Sequence, residues 1–374
     1  MEKAYEKTGD KASFVVSAGD QIQTNATKVK DYTVSEVEYS GYLRPDILKE
    51  LPVATTVGNH DADNPNYTYH INTPNSSELG SNNIVGGDYY FTYGDVLFIM
   101  LNTQGTKVEE HKKFIQETVA ANPDCKWRIV TLHQDIYGSA GHSNEPEIAN
   151  LRYDLVPAFQ ENDIDVVLSG HDHAYSRSKM MLTAKKTFEY TDDEFDEMLD
   201  KDLDAGENPK GLTTAPGNLP TATEDSKEKE LEQAYLDYLT SIMDADTVVN
   251  PKGILYVTAN SASGSKFYDL VPREQTYVAS RWQGDAPTYS VVEVNDNTFK
   301  LDTYRTDTDD KIDTFTIRKK VPAKGSAVKD SKSGVTYKVT KSGAASGTVQ
   351  FAKVSDQKLF VKKGLSKKVK IKAI

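Results

Sequence analysis

The chain has 374 residues, 37% of them hydrophobic and 27% charged, which suffices for one large folded domain with an appendage. Its formal net charge is −12, and the lysine-rich C-terminal part leaves an even more acidic body. An acidic body repels nucleic acid, and no run of about 18 apolar residues occurs, so we expect neither a nucleic-acid partner nor a transmembrane segment. The single cysteine, Cys125, excludes a disulfide within the chain.

Short β-branched runs recur along the chain, and each ends in a glycine-rich or polar loop. The N-terminal residues have the pattern of an amphipathic helix that leads into the first run. Residues 108–123 and 151–163 have helical spacing, whereas residues 89–103 and 289–306 are predicted hairpins. The predicted strands lie within residues 13–20, 53–61, 128–135, 165–172 and 253–261.

Two parts of the chain differ from this pattern. Residues 183–250 begin with an acidic stretch, pass through a Pro/Gly/Thr-rich segment and end in residues with a helical period. We interpret them as a charged helical insertion on the surface of the main domain. Residues 321–374 are rich in Lys, Ser, Gly, Val and Thr and alternate like short strands, so they predict a separate, small, β-rich module. The main domain is then residues 1–320.

Polar side chains gather where four of the predicted strands end. The segments are Gly19-Asp20, Gly58-Asn59-His60-Asp61, His133 and Gly170-His171-Asp172-His173. Carboxylate, amide oxygen and imidazole are the ligand types of Zn²⁺, Mn²⁺ and iron at hydrolytic sites. One such residue has ordinary structural explanations, but four strand ends with suitable donors predict a metal site.

These motifs, in this order, resemble the calcineurin-like metallophosphoesterase superfamily. "SAGDQIQ", "LHQDIYGSAGH", "GHDHAYSRS" and "YVTANSASGSKFY" are most similar to its bacterial purple-acid-phosphatase-like branch. The resemblance covers roughly residues 10–320 without the insertion. It implies an α+β fold, the four-layer α/β/β/α sandwich of the superfamily, and the hydrolysis of phosphate esters.

The resemblance also implies roles for individual residues. Asp20 would be a carboxylate that bridges two metal ions, each of them Fe, Zn or Mn. Asn59, His133 and His171 would complete the first metal site, and His173 would bind the second metal.

His60 would contact the phosphoryl group and protonate the leaving oxygen. Three further residues are weaker candidates for substrate binding: His70, His142 and Arg177.

Two departures from the family affect this interpretation. The family has another motif, an Asp followed within two residues by His or Gln, at the end of a strand before the "GD" motif. The residues before Asp20 do not contain it, and Asp10 lies in a predicted loop. We therefore expect a missing first strand, a weak second metal site and a chain derived from a longer parent. Gln23 stands where purple acid phosphatases have a tyrosine, which argues against a purple Fe(III)–tyrosinate centre.

The predicted function is the metal-dependent hydrolysis of phosphomonoesters. A phosphodiesterase or nucleotidase remains an alternative, because the same metal core serves both reactions. Another alternative is a cell-surface scaffold with a degenerate catalytic domain. The C-terminal module resembles β-rich repeats of secreted bacterial proteins, which favours a secreted or wall-associated parent. The chain shows no signal peptide, and a cytoplasmic location stays open.

Overall fold

A computed structural model of the chain describes residues 1–25, 28–82, 84–183, 239–243, 246–271, 275, 277–319, 327–329, 336–342 and 349–353. The helices are α1 (Glu2–Lys7), α2 (Val29–Tyr42), α3 (Asn66–His70), α4 (Val108–Ala121) and α5 (Pro146–Glu161), with 3₁₀ turns at Asp46–Lys49 and Gly141–Asn144. The first strands are β1 (Val15–Ser17), β2 (Val53–Thr55), β3 (Tyr89–Tyr93), β4 (Val96–Met100), β5 (Trp127–Thr131), β6 (Val166–Ser169), β7 (Tyr175–Ser178), β8 (Met180–Thr183) and β9 (Leu239–Met243). The remaining strands are β10 (Thr247–Val249), β11 (Leu255–Thr258), β12 (Val278–Trp282), β13 (Thr288–Val294), β14 (Thr298–Arg305), β15 (Lys311–Arg318), β16 (Ala327–Lys329), β17 (Thr336–Ser342) and β18 (Val349–Lys353).

The fold is α+β, with mixed sheets and few helices. The chain forms two compact units. The first comprises the described residues of 1–246, 252–292 and 301–315, and the second those of 247–251, 293–300 and 316–374. Within the described residues, no helix is long and apolar enough to cross a membrane.

The largest sheet has seven strands in the order β12-β7-β11-β6-β5-β4-β3. Its centre is parallel: β4 pairs with β5, β5 with β6, and β6 with β11. All five residues of β4, "VLFIM", are buried, as expected for a strand inside a sheet that is covered on both faces. Helices α4 and α5 contribute Phe114, Ile115, Leu155 and Phe159 to the core against this sheet.

A short parallel sheet places two of the polar motifs side by side. Val15 of β1 is opposite Val53 of β2, and the amide of Thr56 donates to the carbonyl of Ser17 at 3.0 Å. The loops after both strands therefore leave in the same direction. Beside them, the amide of Gly170 donates to the carbonyl of His133 at 3.0 Å, which joins the loops that follow β6 and β5.

Most of the sequence-predicted elements are confirmed with shorter bounds, including α1, α4, the five strands and both hairpins. Helix α5 begins earlier than predicted, at Pro146, because proline is favoured in the first turn, where its missing N–H costs no hydrogen bond.

The predicted insertion lies mostly outside the described residues. At Leu239–Met243 the helical prediction is wrong, because these residues form β9, which pairs antiparallel with β8. Pairing with a neighbouring strand overrides a local helical period, and the run contains Thr and Ile, which favour strands.

The C-terminal strands β16, β17 and β18 form an antiparallel three-stranded sheet, as the alternating sequence predicts. The boundary at residue 320, the four-layer arrangement and the missing first strand stay predictions.

Candidate metal centre

Asp20 reaches the centre through a tight turn after β1. Gly19 has φ of 96° and Asp20 has φ of 51°, so two successive residues adopt the left-handed region. A side chain at Gly19 would collide with the imidazole of His133 and with the Cα of Gly58. Glycine at this position therefore lets the β1 loop approach the loops of β2 and β5 closely.

Four potential ligand atoms lie close together: Nε2 of His133 and one atom each from three other residues. The Nε2 atom of His133 lies 3.0 Å from Asn59 Oδ1, 3.4 Å from Asp20 Oδ2 and 3.1 Å from His171 Nδ1. The Nδ1–H of His133 donates to the carbonyl of Ala18 at 2.7 Å, which turns Nε2 toward the other three. A histidine held through one ring nitrogen by a carbonyl, with the other facing carboxylate and amide oxygens, has the arrangement of a metal ligand.

The electrostatics of this cluster favour a cation. Burial raises the pKa of Asp20, but His133 and His60 lower it more strongly, and the result is about 2. Burial, together with His133 and His142, lowers the pKa of His171 to about 2. Both groups are therefore unprotonated at neutral pH, the state in which they coordinate metals.

His60 lies at the edge of this cluster. Its backbone amide donates to Asp20 Oδ1 at 3.1 Å, and its Nε2 is 3.9 Å from Asp20 Oδ2. Within the described residues, its buried Nδ1 has no hydrogen-bond partner. A half-buried imidazole with an unpartnered nitrogen beside a carboxylate is a candidate for contact with a ligand of the centre.

His171 and His173 both lie in the loop that follows β6. Both have positive φ, 70° and 46°, which lets two histidines two residues apart project separately. The Nδ1–H of His173 donates to the carbonyl of Lys266 at 3.0 Å, so its Nε2 is available to a ligand. His173 is not part of the compact group formed by Asp20, His133 and His171.

His142 joins the site, as the sequence proposed for a substrate-binding residue. Its ring stacks on that of His171, with 4.4 Å between centroids, and its Nδ1 is 2.7 Å from Glu145 Oε1. Hydrogen bonding to Glu145 raises the pKa of His142. His142, Glu145 and His171 form a second group with clustered ligand atoms. Sequence analysis missed Glu145, although its spacing of three residues from His142 was a usable signal.

The other two candidates have structural partners. His70 Nε2 lies 3.0 Å from Glu36 Oε2, and its ring packs against Tyr39. Arg177 is buried, and its Nε and NH2 groups donate to the two carboxylate oxygens of Asp313 at 2.6 and 3.1 Å. The structure therefore does not gather His70 and Arg177 with the ligand cluster.

Asp61 stabilises the loops that carry the candidate ligands, although sequence analysis gave it no role. Its carboxylate accepts hydrogen bonds from the amides of Gly58 and Gln21 and from the hydroxyl of Tyr39, at 3.0, 3.3 and 2.9 Å. Burial and the nearby Asp20 raise its pKa to about 7. Asp61 fixes the turns that carry the predicted ligands Asn59 and Asp20.

Comparison with known proteins shows similarity over the part of the chain that carries this centre. Residues 2–175 match the family model described as calcineurin-like phosphoesterase. The chain is purple-acid-phosphatase-like: it is 27% identical to purple acid phosphatase 4 of Arabidopsis thaliana over 187 residues, which are 43% of this chain and 52% of that protein. The resemblance expected from the motifs is thus confirmed.

Two other similarities are weaker. An uncharacterized protein of Mycobacterium tuberculosis is 25% identical over 159 residues, 36% of this chain and 30% of that protein. The structure of the purple acid phosphatase PPD1 from yellow lupin seeds aligns with a TM-score of 0.49 at 15% identity, covering 85% of this chain and 48% of that one. The chain thus spans about half of the Arabidopsis relative and less than a third of the mycobacterial one.

The donor atoms of this centre fit the metal ions on which calcineurin-like phosphoesterases depend. Nitrogen and oxygen donors from Asp20, Asn59, His133 and His171 are the ligand types of Zn²⁺, Mn²⁺ and iron. The carbonyl that holds His133 and the carbonyl that holds His173 provide the outer contacts that orient such ligands.

Proposed function

We propose that this chain hydrolyses phosphomonoesters at the centre formed by Asp20, Asn59, His133 and His171. The observation that carries the proposal is the convergence of their donor atoms on His133 Nε2, within 3.0 to 3.4 Å. A bound metal ion would polarise the phosphoryl group and activate the attacking water. Fe, Zn and Mn are the proposed metals, and Asp20 and His173 are the proposed protein ligands of a second ion.

The chain's own residues would perform the remaining steps. His60, beside Asp20 and with its Nδ1 unpartnered among the described residues, would contact the phosphoryl group and protonate the leaving oxygen. His142, raised in pKa by Glu145, would carry positive charge at mildly acidic pH and bind a phosphoryl oxygen. His60 and His142 come from different loops, and the substrate would bind between their imidazoles.

The test combines metal content with turnover. The purified chain is loaded with Mn²⁺, Zn²⁺ or Fe²⁺, and the metal per chain is measured together with hydrolysis of p-nitrophenyl phosphate. A phosphomonoesterase turns over this substrate, and His60→Ala should lower kcat by about 100-fold or more, the range of general acid catalysis. His70→Ala is the matched control, because His70 bonds to Glu36 instead, and its kcat should remain close to that of the wild type.

Other results of these assays would support the alternative functions. Hydrolysis of bis-p-nitrophenyl phosphate with little monoesterase activity would identify a phosphodiesterase. Metal binding without turnover of either substrate would favour the scaffold with a degenerate site, and one metal per chain would agree with a weak second site. Secretion and wall association through residues 321–374 stay predictions from the sequence alone.

A further inference from the structure

One wall of the centre is formed by the loop that follows β11, and the proposed function assigns this loop no role. Its residue Tyr268 lies next to two histidines of the site. The ring centroid of Tyr268 is 4.9 Å from that of His173 and 4.9 Å from that of His142, tilted against the first ring and edge-on to the second. Tyr268 therefore packs against both imidazoles on this side of the centre.

Lys266 is held against the same ring. Its Nζ lies 4.7 Å from the Tyr268 centroid, a cation–π contact. Its backbone carbonyl accepts the Nδ1–H of His173 at 3.0 Å. Both the backbone carbonyl and the ammonium group of Lys266 therefore contact residues of the site.

The side chain of Gln283 also connects this wall to the loop that follows β6. The amide nitrogen of Gln283 donates to the carbonyls of His173 and Tyr268, at 2.8 and 2.9 Å. The position of Lys266 relative to His173 is therefore set by several contacts, although the lysine itself is exposed. Among the residues that the structure describes, no carboxylate forms an ion pair with it.

We propose that Lys266 is a specificity-determining residue that selects phosphate esters carrying a second anionic group beside the scissile phosphoryl group. This rests on the proposed function, because it concerns the substrate of the same centre. An exposed ammonium at the rim is not desolvated by burial, and Tyr268 orients it before any ligand binds. A carboxylate or second phosphate on the substrate would meet this charge, whereas a neutral group would gain nothing from it.

The test measures binding without turnover. Phenylphosphonate and 3-carboxyphenylphosphonate, which are not hydrolysed and differ by one carboxylate, are titrated calorimetrically into the metal-loaded full chain. The wild type should bind the carboxylated compound about fivefold more tightly, as expected for a partly exposed charge pair. Lys266→Met should remove this preference, and Lys266→Arg should retain most of it.

Lys252→Met is the matched control, because Lys252 is also exposed but precedes β11, at the end of the strand away from this loop. It should keep the wild-type preference. Equal binding of both compounds by the wild type, no binding of either, or a preference that survives Lys266→Met would overturn the assignment. Hydrolysis of p-nitrophenyl phosphate is measured separately, so the preference without turnover would refute the proposed hydrolysis, whereas turnover without the preference would refute only the role of Lys266.

Discussion

The carboxylate of Asp172 accepts a 2.9 Å hydrogen bond from the backbone amide of His142. It also accepts a 2.7 Å hydrogen bond from the amide of Ala140, and the carboxylate is completely buried. Asp172 lies between His171 and His173 in the chain, so one side chain connects the loop of two predicted metal ligands to the loop that carries His142. The stacking of His142 on His171 depends on this connection.

We expect Asp172→Ala to lower metal affinity or kcat/KM by roughly 10- to 100-fold, the usual effect of losing a contact that orients a ligand. Two buried amides would lose their acceptor, and His142 and His171 would lose their relative position. Asp172→Asn should cost less, because its amide oxygen accepts one of the two bonds. Metal titration and initial rates check this. Asp46→Ala, which removes an exposed partner of Lys49, is the control and should change neither quantity. Wild-type values for Asp172→Ala would contradict the positioning role.

Gly58 packs so closely against Asp20 that any side chain would displace the carboxylate. A Cβ at Gly58 would overlap Asp20 Oδ1 and the Asp20 amide. We expect Gly58→Ala to abolish tight metal binding while the rest of the fold persists, which metal titration and circular dichroism would show. Gly41→Ala is the matched control: nothing lies within 4 Å of its added Cβ, and alanine within α2 should stabilise the protein by up to about 1 kcal/mol. Unchanged metal affinity in Gly58→Ala would count against Asp20 as a ligand.

The sequence located the candidate ligands because each follows a strand with a clear apolar run, and their role as ligands stays a prediction. Asp20 and Asn59 follow two paired parallel strands of one sheet, and His133 and His171 follow two paired parallel strands of another, so each pairing brings two of these ends together. The contacts that orient these ligands could not be predicted in the same way. The Ala18 carbonyl is 115 residues from His133, and such pairing depends on how the loops pack.

Long-range contacts of Arg177 and of β9 show the same limit of sequence-based prediction. Arg177 was one of the weaker candidates for substrate binding, proposed because its charge could neutralise phosphate. Its actual partner, Asp313, is 136 residues away, and no local pattern indicates that pairing. Likewise, β9 forms where the local period favours a helix, because β8 provides a pairing edge. Local sequence patterns predict where helices and strands lie. Tertiary packing decides which polar side chains become partners.

A second buried histidine serves stability instead of chemistry. His111, in the first turn of α4, places Nδ1 2.8 Å from Asp88 Oδ2, and both side chains are fully buried. Asp88 also accepts the amide of Asn102 at 2.8 Å, so the pair fastens α4 to the β3–β4 hairpin. We expect His111→Ala to lower the free energy of unfolding by about 3 kcal/mol, because it leaves a buried carboxylate without its partner. Urea denaturation measures this, and a loss below about 1 kcal/mol would contradict it.

The contribution of this pair should depend on pH. Burial lowers the pKa of His111, but Asp88 raises it more strongly, to above the ordinary value of 6.5. A histidine whose folded-state pKa is raised gives stability that is fully present below the unfolded-state pKa and is lost as pH rises through the folded-state pKa. The difference in unfolding free energy between wild type and His111→Ala should therefore shrink from pH 6 toward pH 9, about the range in which histidine titrates. A difference that grows over this range would show that His111 is neutral in the fold.

The ion pair between Arg177 and Asp313 allows the remaining sequence hypothesis, phosphate binding by Arg177, to be tested against a structural role. The guanidinium bonds to both carboxylate oxygens and lies 4.6 Å from the Phe315 centroid, and Tyr175 donates to the same carboxylate at 2.6 Å. We expect Arg177→Ala and Asp313→Ala each to reduce the unfolding free energy by about 3–5 kcal/mol. The double variant should lose less than the sum, since each single change already removes the pair. Neither change should alter KM in the folded protein. A large increase in KM for Arg177→Ala but not for Asp313→Ala would instead assign the arginine to the substrate.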